Sequence, residues 1–439
     1  MDRTAWLDGL RGIAAAIVAL DHYFMGGVLD VAFRSYWAEP REENSRVIQL
    51  FPLRIFFAAH AMVPLFFVIS GFALSINLIR ARDGANTTNH GSEFARRLAS
   101  AATRRPFRIY LPVFAIAIIS QLLYFCNLYS WSFGDDVVWG RRPWTAPMFH
   151  LQYLMRYLLD ITNCIQFHDN PGLNGQLWTM PFEIRGSFII YLTVLALAFW
   201  KPRFRRGALV AMMVYFFYYG LWDIFGFLAG LYLAEIVIAP GEAETSKEWE
   251  LPFRLSTTWG PKFNSVNFSG AWTIFCFIFG LYLVCLSDDG YLPPGYQFLK
   301  LFQSSRWDDD WAVLSKSWKC MGSFMLVYAI SKSALLQRPL TSDVVQYLGK
   351  ISFSLYLVHQ TVYHLGRDPM LKLFWLVLRG EAYPDTETAK EHIVAFGISW
   401  LGTFLAMAVI VVYLADVYTR YVDVKCVQLA RRIEKWVTR

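Results

Sequence analysis

Apolar residues in this chain gather into long continuous runs rather than into the one-sided stripes of a soluble helix. Ten runs stand out, near residues 10–29, 55–79, 109–128, 182–200, 207–221, 223–239, 270–287, 318–336, 346–364 and 393–417. A helix of about 20 apolar residues crosses a hydrocarbon core about 30 Å thick. The fifth and sixth runs are short and parted only by a tight Gly220-Leu221-Trp222 turn. The pattern predicts an all-α fold: a polytopic membrane bundle of about ten transmembrane helices forming one domain over residues 1–439. No internal repeat, low-complexity tract or separate soluble domain interrupts it.

The segments between the runs predict an orientation, because Lys and Arg accumulate on cytoplasmic flanks. "RARDGANTTNHGSEFARRLASAATRRPFR" (80–108), "KPRFRR" (201–206) and the tail (418–439) are basic. Ten spans with both termini cytoplasmic put all three on one side, while "SDDGYLPP" and "RWDDDW" fall outside. The acidic 240–268 loop runs against this rule. Asn86 and Asn267 head glycosylation sequons that this topology hides. The N-terminus lacks a short apolar core followed by a small-residue cleavage site, so the first helix is expected to stay in place.

Composition supports a membrane protein. Hydrophobic residues make up 56% and charged residues 17%, against about a quarter charged in soluble domains. The net charge of +7 reads as orientation signal and lipid-headgroup contact, and no nucleic-acid partner is expected. Six cysteines are scattered without a C-x-x-C pair, so neither zinc nor a disulfide framework is expected.

Ionisable residues inside the runs carry the chemistry, because a charge in a bilayer is costly and usually functional. "LDGLRGIAAAIVALDHYF" (7–24) holds Asp8, Arg11, Asp21 and His22. Asp8 reads as a helix N-cap. Arg11 and His22 share one helix face about 16 Å apart, with Arg11 near the cytoplasmic headgroups and His22 near the midplane. Asp21 projects about 100° from His22 and is expected to pair with another helix. In "FFVISGFALS" (66–75), Ser70 lacks a nucleophile-elbow motif and is read as a packing residue. His60 has no companion motif and reads as an interhelical donor. "RRPFRIYLPV" (104–113) crowds Arg104, Arg105 and Arg108 at a helix mouth, a pattern suited to phosphate. Glu183 and Arg185 stand in "LWTMPFEIRGSFIIYL" (177–192), where they fit equally an interfacial site or a buried, partnered one. "ISFSLYLVHQTVYH" (351–364) supplies a second intramembrane histidine, His359.

Taken in order, "LDGLRGIAA…DH", "FFVISGFAL", "RRPFRIYLP", "LWTMPFEIRGSFIIYL" and "ISFSLYLVH" resemble the acyltransferase 3 family of integral membrane acyltransferases, in its fungal branch. The resemblance covers residues 7 to about 365. It implies acyl-CoA, acetyl-CoA in the first place, as co-substrate and a hydroxyl as acceptor, with no bound cofactor and no metal. It also implies that Arg11 and His22 are essential, and gives roles to Arg104, Arg105, Arg108, Glu183 and His359.

On this basis His22 is expected to take the proton of the attacking hydroxyl, with His359 or a helix-break amide donating to the oxyanion. Arg11, Arg104, Arg105 and Arg108 would hold donor phosphates. The expected acceptor is a small lipophilic natural product, with a wall or envelope glycan as the alternative. The expected location is the endoplasmic reticulum or another endomembrane. A proton-coupled transporter is the rival from another class, and a haem protein with histidine ligands is a remote third.

Overall fold

A computed structural model describes residues 4–25, 30–83, 90–131, 133–134, 137–167, 172–238, 268–307 and 310–438. The sequon asparagines Asn86 and Asn267 and most of the acidic 240–268 loop lie outside these residues. The described chain is all-helical, with 81% helix and no strand. Each of the ten apolar runs coincides with a helix: α1 (Ala5–Phe24), α2 (Ala59–Asp83), α3 (His90–Phe125), α5 (Met180–Ala196), α6 (Pro202–Tyr218), α7 (Trp222–Ile238), α8 (Phe268–Val284), α9 (Trp311–Lys332), α11 (Asp343–Arg379) and α13 (Ile393–Tyr418). Four more were not anticipated: α4 (Pro147–Asp160), α10 (Ala334–Leu340), α12 (Thr386–Glu391) and α14 (Val424–Val437).

Three helical segments are long and apolar enough to cross a membrane by length and composition, namely Ala59–Asp83, Gly91–Phe125 and Ile393–Val437. α3 begins well before the apolar run it was read from and carries Pro106 and Pro112 inside it. Proline is tolerated within membrane helices, where neighbouring groups satisfy the freed backbone. The turn between α6 and α7 is as expected, with Gly220 at φ +72°, a left-handed conformation suited to glycine.

Apolar residues cover much of the outer surface as well as the core. Leu401, Leu405, Val409 and Tyr413 are exposed at four-residue intervals along α13, so they form one apolar stripe facing outward. Asp21, Arg54, Arg205, Glu235 and Lys319 are buried. Such groups are retained inside only when paired.

Two close helix contacts place the site. α1 packs along α11, and α2 along α7. Where α1 meets α11, a Cβ on Gly12 would overlap the Gly349 backbone, and one on Gly349 would overlap Asp8. Glycine at both positions lets the backbones approach, as in other small-residue membrane contacts. The Gly71–Gly230 contact between α2 and α7 works in the same way.

Candidate active site

Arg11 and His22 both face α11. The Arg11 guanidinium donates to Ser352 Oγ at 3.0 Å and to the Gly349 carbonyl at 3.3 Å. Farther along, His22 Nδ1 lies 2.8 Å from His359 Nε2, with the rings 2° from parallel. Helical periodicity accounts for both contacts, since eleven residues make about three turns.

The hydrogen-bond partners fix the tautomers. His359 Nδ1 lies 3.1 Å from the Leu355 carbonyl oxygen, which only accepts. That nitrogen therefore carries the proton, and Nε2 accepts. His22 Nδ1–H donates to it, which leaves the His22 lone pair on Nε2. His359 is fully buried, whereas His22 keeps partial exposure. The last turn of α1 is held from the same side. Tyr363 donates to the Ala19 carbonyl at 2.9 Å and Arg367 to the Tyr23 carbonyl at 3.1 Å.

A cavity of about 210 Å³ opens at the Arg11 end, lined by Arg11, Arg105, Arg108, Lys350, Glu183, Asp423, Ser70, Ser352, Phe66 and Tyr356 among others. Arg105 reaches Glu183 Oε2 at 2.9 Å and Ser187 Oγ at 2.8 Å. Ser70 Oγ donates to Glu183 Oε1 at 3.1 Å. Four cations thus line the cavity with two carboxylates, and although Arg11 also holds Asp8 at 2.9 Å, a positive surplus remains that suits an anion. Between this cavity and the imidazole pair stands Tyr356. Its hydroxyl donates to the Gln176 carbonyl at 2.7 Å, and its ring lies 6.1 Å from that of His359.

A second cavity of about 540 Å³ lies at the other end of α1, with Met25, Arg34, Glu39, Arg54, His60, Asp288, Asp289 and Tyr291 in its wall. Asp288 accepts from Lys319 Nζ at 2.6 and 2.7 Å. Burial raises the Asp288 carboxyl, but Lys319 and His60 outweigh it and hold the pKa at about 2. Arg54 is consumed by the carbonyls of Cys285 and Phe33, each at 2.6 Å.

Several expectations need correction. Asp8 is not the N-cap, because α1 already begins at Ala5 after Thr4. It sits in the first turn, where a carboxylate favours the helix dipole, and pairs with Arg11 at 2.9 Å. Of the two settings left open for Glu183, the structure has the partnered one, with Arg105 inside the bundle. Ser70 is more than packing, since it donates to that carboxylate; the close backbone approach belongs to Gly71. Arg104 does not reach the cavity and pairs instead with Glu434 of α14 at 3.2 Å. His359 has both ring nitrogens engaged and is left with no N–H for an oxyanion. Asp21, by contrast, meets another helix as expected: its Oδ1 accepts from the Ala59 amide opening α2. Arg185 pairs with Asp223 at 2.6 Å, away from the cavity. Lys350, Tyr356 and Asp423 were missed. His60 was read as an interhelical donor, yet it faces the second cavity and makes no hydrogen bond among the described residues.

The sequence order of these parts can be set against known proteins. The profile of the acyltransferase 3 family, described as an acyltransferase domain, matches residues 4–420. The chain belongs to the acyltransferase 3 family. Three fungal members are similar to it over nearly their whole lengths. O-acetyltransferase PaAT-1 of Phomopsis amygdali is 26% identical over 456 residues, covering 98% of this chain and 84% of the relative. Acyltransferase R4 of a Phoma species is 24% identical, covering 92% of each. Acyltransferase clz18 of Cochliobolus lunatus is 25% identical, covering 96% of this chain and 93% of the relative. No solved structure matches the chain significantly. Membership makes the protein an acyltransferase, and its apolar helices fit the membrane association of the family.

Proposed function

We propose that the protein is an integral membrane O-acyltransferase that moves an acyl group, acetyl in the first place, from acyl-CoA to the hydroxyl of a small lipophilic natural product. It crosses an endomembrane ten times with both termini cytoplasmic. The observation that carries this reading is the 2.8 Å contact between His22 and His359, set beyond a cavity with surplus positive charge.

The donor's phosphates bind Arg11, Arg105, Arg108 and Lys350, and its arm passes Tyr356 toward His22. The ~16 Å between Arg11 and His22 is the span that arm has to cover. The acceptor comes through the second cavity, whose wall includes Met25, three positions beyond His22. His22 Nε2 takes the hydroxyl proton as oxygen attacks the thioester carbonyl, a contribution of about 10²–10⁴-fold. The C–S bond then breaks, and the proton passes from His22 to the departing thiolate. His359 is a positioning residue, because it acts through His22 by holding its tautomer. Glu183 orients Arg105. The names of the fungal relatives support acetyl or acyl transfer. The charged wall of the second cavity favours a hydroxyl-rich acceptor as a second reading, which includes a glycan.

The test is an incubation of membranes with labelled acetyl-CoA and an extract of the source organism, following thiol release and label together. Label in a small organic-soluble product, absent with His22→Ala, is the expected result. Label in a polymer selects the glycan reading. No thiol release by the wild-type protein with acetyl-CoA or longer acyl-CoAs refutes the proposal.

A further inference from the structure

α14 does not belong to the donor site, yet its surface is unusual for a helix facing water. It follows α13 without a break, through a π-turn at Thr419–Asp423, so it begins where the apolar stretch of α13 ends. Its inner side is committed. Ala430 is buried, and Glu434 pairs with Arg104 of α3. Its outer side is basic, with Lys425, Arg431, Arg432 and Lys435 all exposed. None of these four is paired with a carboxylate among the described residues. On the same outer side, Trp436 is 82% and Leu429 45% exposed. Seven residues apart, these two lie on one line of the helix, at the edge of the basic face.

A bare basic face would be satisfied by water and counter-ions alone. An exposed tryptophan and leucine beside it would not, since their apolar area gains by leaving water. The combination is that of a helix surface in contact with a membrane interface, with Trp and Leu against lipid and Lys and Arg at the headgroups. We propose that α14 contacts the membrane surface beside the basic end of the bundle and binds anionic phospholipid through Lys425, Arg431, Arg432 and Lys435. The proposal rests on the membrane reading above. Each basic side chain near an anionic leaflet contributes about fivefold in affinity, and salt screens the effect.

The full chain would be placed in nanodiscs of phosphatidylcholine alone, or of phosphatidylcholine mixed with phosphatidylinositol, and amide exchange followed peptide by peptide. The expected result is exchange about tenfold slower over 424–437 in the anionic discs. The difference should shrink in high salt and vanish in the variant Lys425→Gln, Arg431→Gln, Arg432→Gln, Lys435→Gln. Equal exchange in both discs, with α2 and α13 protected, overturns the proposal and leaves the membrane reading standing. A difference that survives in the fourfold variant also overturns it. Free exchange of α2 and α13 in both discs removes the membrane reading and the proposal together.

Discussion

Two arginine clusters in this bundle differ in what surrounds them. In the first, Arg82 and Arg205 meet Asp83 and Glu235, with Arg82 2.6 Å from Glu235 and both side chains only 3–4% exposed. Two cations face two carboxylates, and no void separates them. In the second, Arg11, Arg105, Arg108 and Lys350 face Glu183 and Asp423 across an open cavity. Among the described residues the first cluster is balanced in charge and ties α2 to α6 and α7. The second has free space and more cations than carboxylates in its wall, the arrangement that the proposed anionic donor would need. Arginine content alone does not separate a structural network from a binding site; the balance of carboxylates and the free space do.

The largest effect should come from breaking the closed cluster. Arg82→Ala leaves Glu235 buried without its closest partner, a loss on the order of 3–5 kcal/mol. The expected outcome is a collapse in folded yield and thermal midpoint in detergent, with or without CoA. The open cluster should respond differently. Arg108→Gln should keep the thermal midpoint of the ligand-free protein while weakening CoA affinity about tenfold or more, the worth of a lost charge-assisted hydrogen bond. Titration calorimetry on the purified variant would measure it.

The Asp288–Lys319 pair offers a pH test of the matched type. Its carboxyl pKa lies at about 2 when folded, below the ~3.9 of an unfolded Asp. The stabilisation is therefore present above pH ~4 and lost as pH falls toward about 2. Unfolding midpoints in detergent should drop over that window, and Asp288→Asn should flatten this part of the drop. The smallest effect belongs to Arg104→Gln. Since Arg104 pairs with Glu434 outside the cavity, CoA affinity should change by less than about twofold, the scale of an exposed ion pair.

How much of this was legible in the sequence depended on whether the signal was local. The apolar runs located ten helices, because length and composition suffice for that. That Arg11 and His22 share one face followed from helical periodicity alone; that this face meets α11 did not. Pairing across helices did not. Nothing near Glu183 names Arg105 as its partner, and nothing near Arg104 directs it to Glu434. Lys350 reads as an ordinary flanking lysine before "ISFSLYLVH", and Asp423 is lost in a basic tail. α4 was overlooked because its apolar residues are mixed with polar ones. The start of α3 was misplaced because residues 90–108 are basic and polar, and only the apolar stretch after them was read as a helix.

The most direct test of the account is the thermal stabilisation of purified protein by CoA, compared between wild type, Arg105→Gln and Arg104→Gln. A ligand that binds only the folded state raises the midpoint. The account predicts a clear rise for wild type and Arg104→Gln, and little or none for Arg105→Gln. An equal rise in all three, or no rise in wild type at saturating CoA, would contradict the assignment of the open cluster as the donor site.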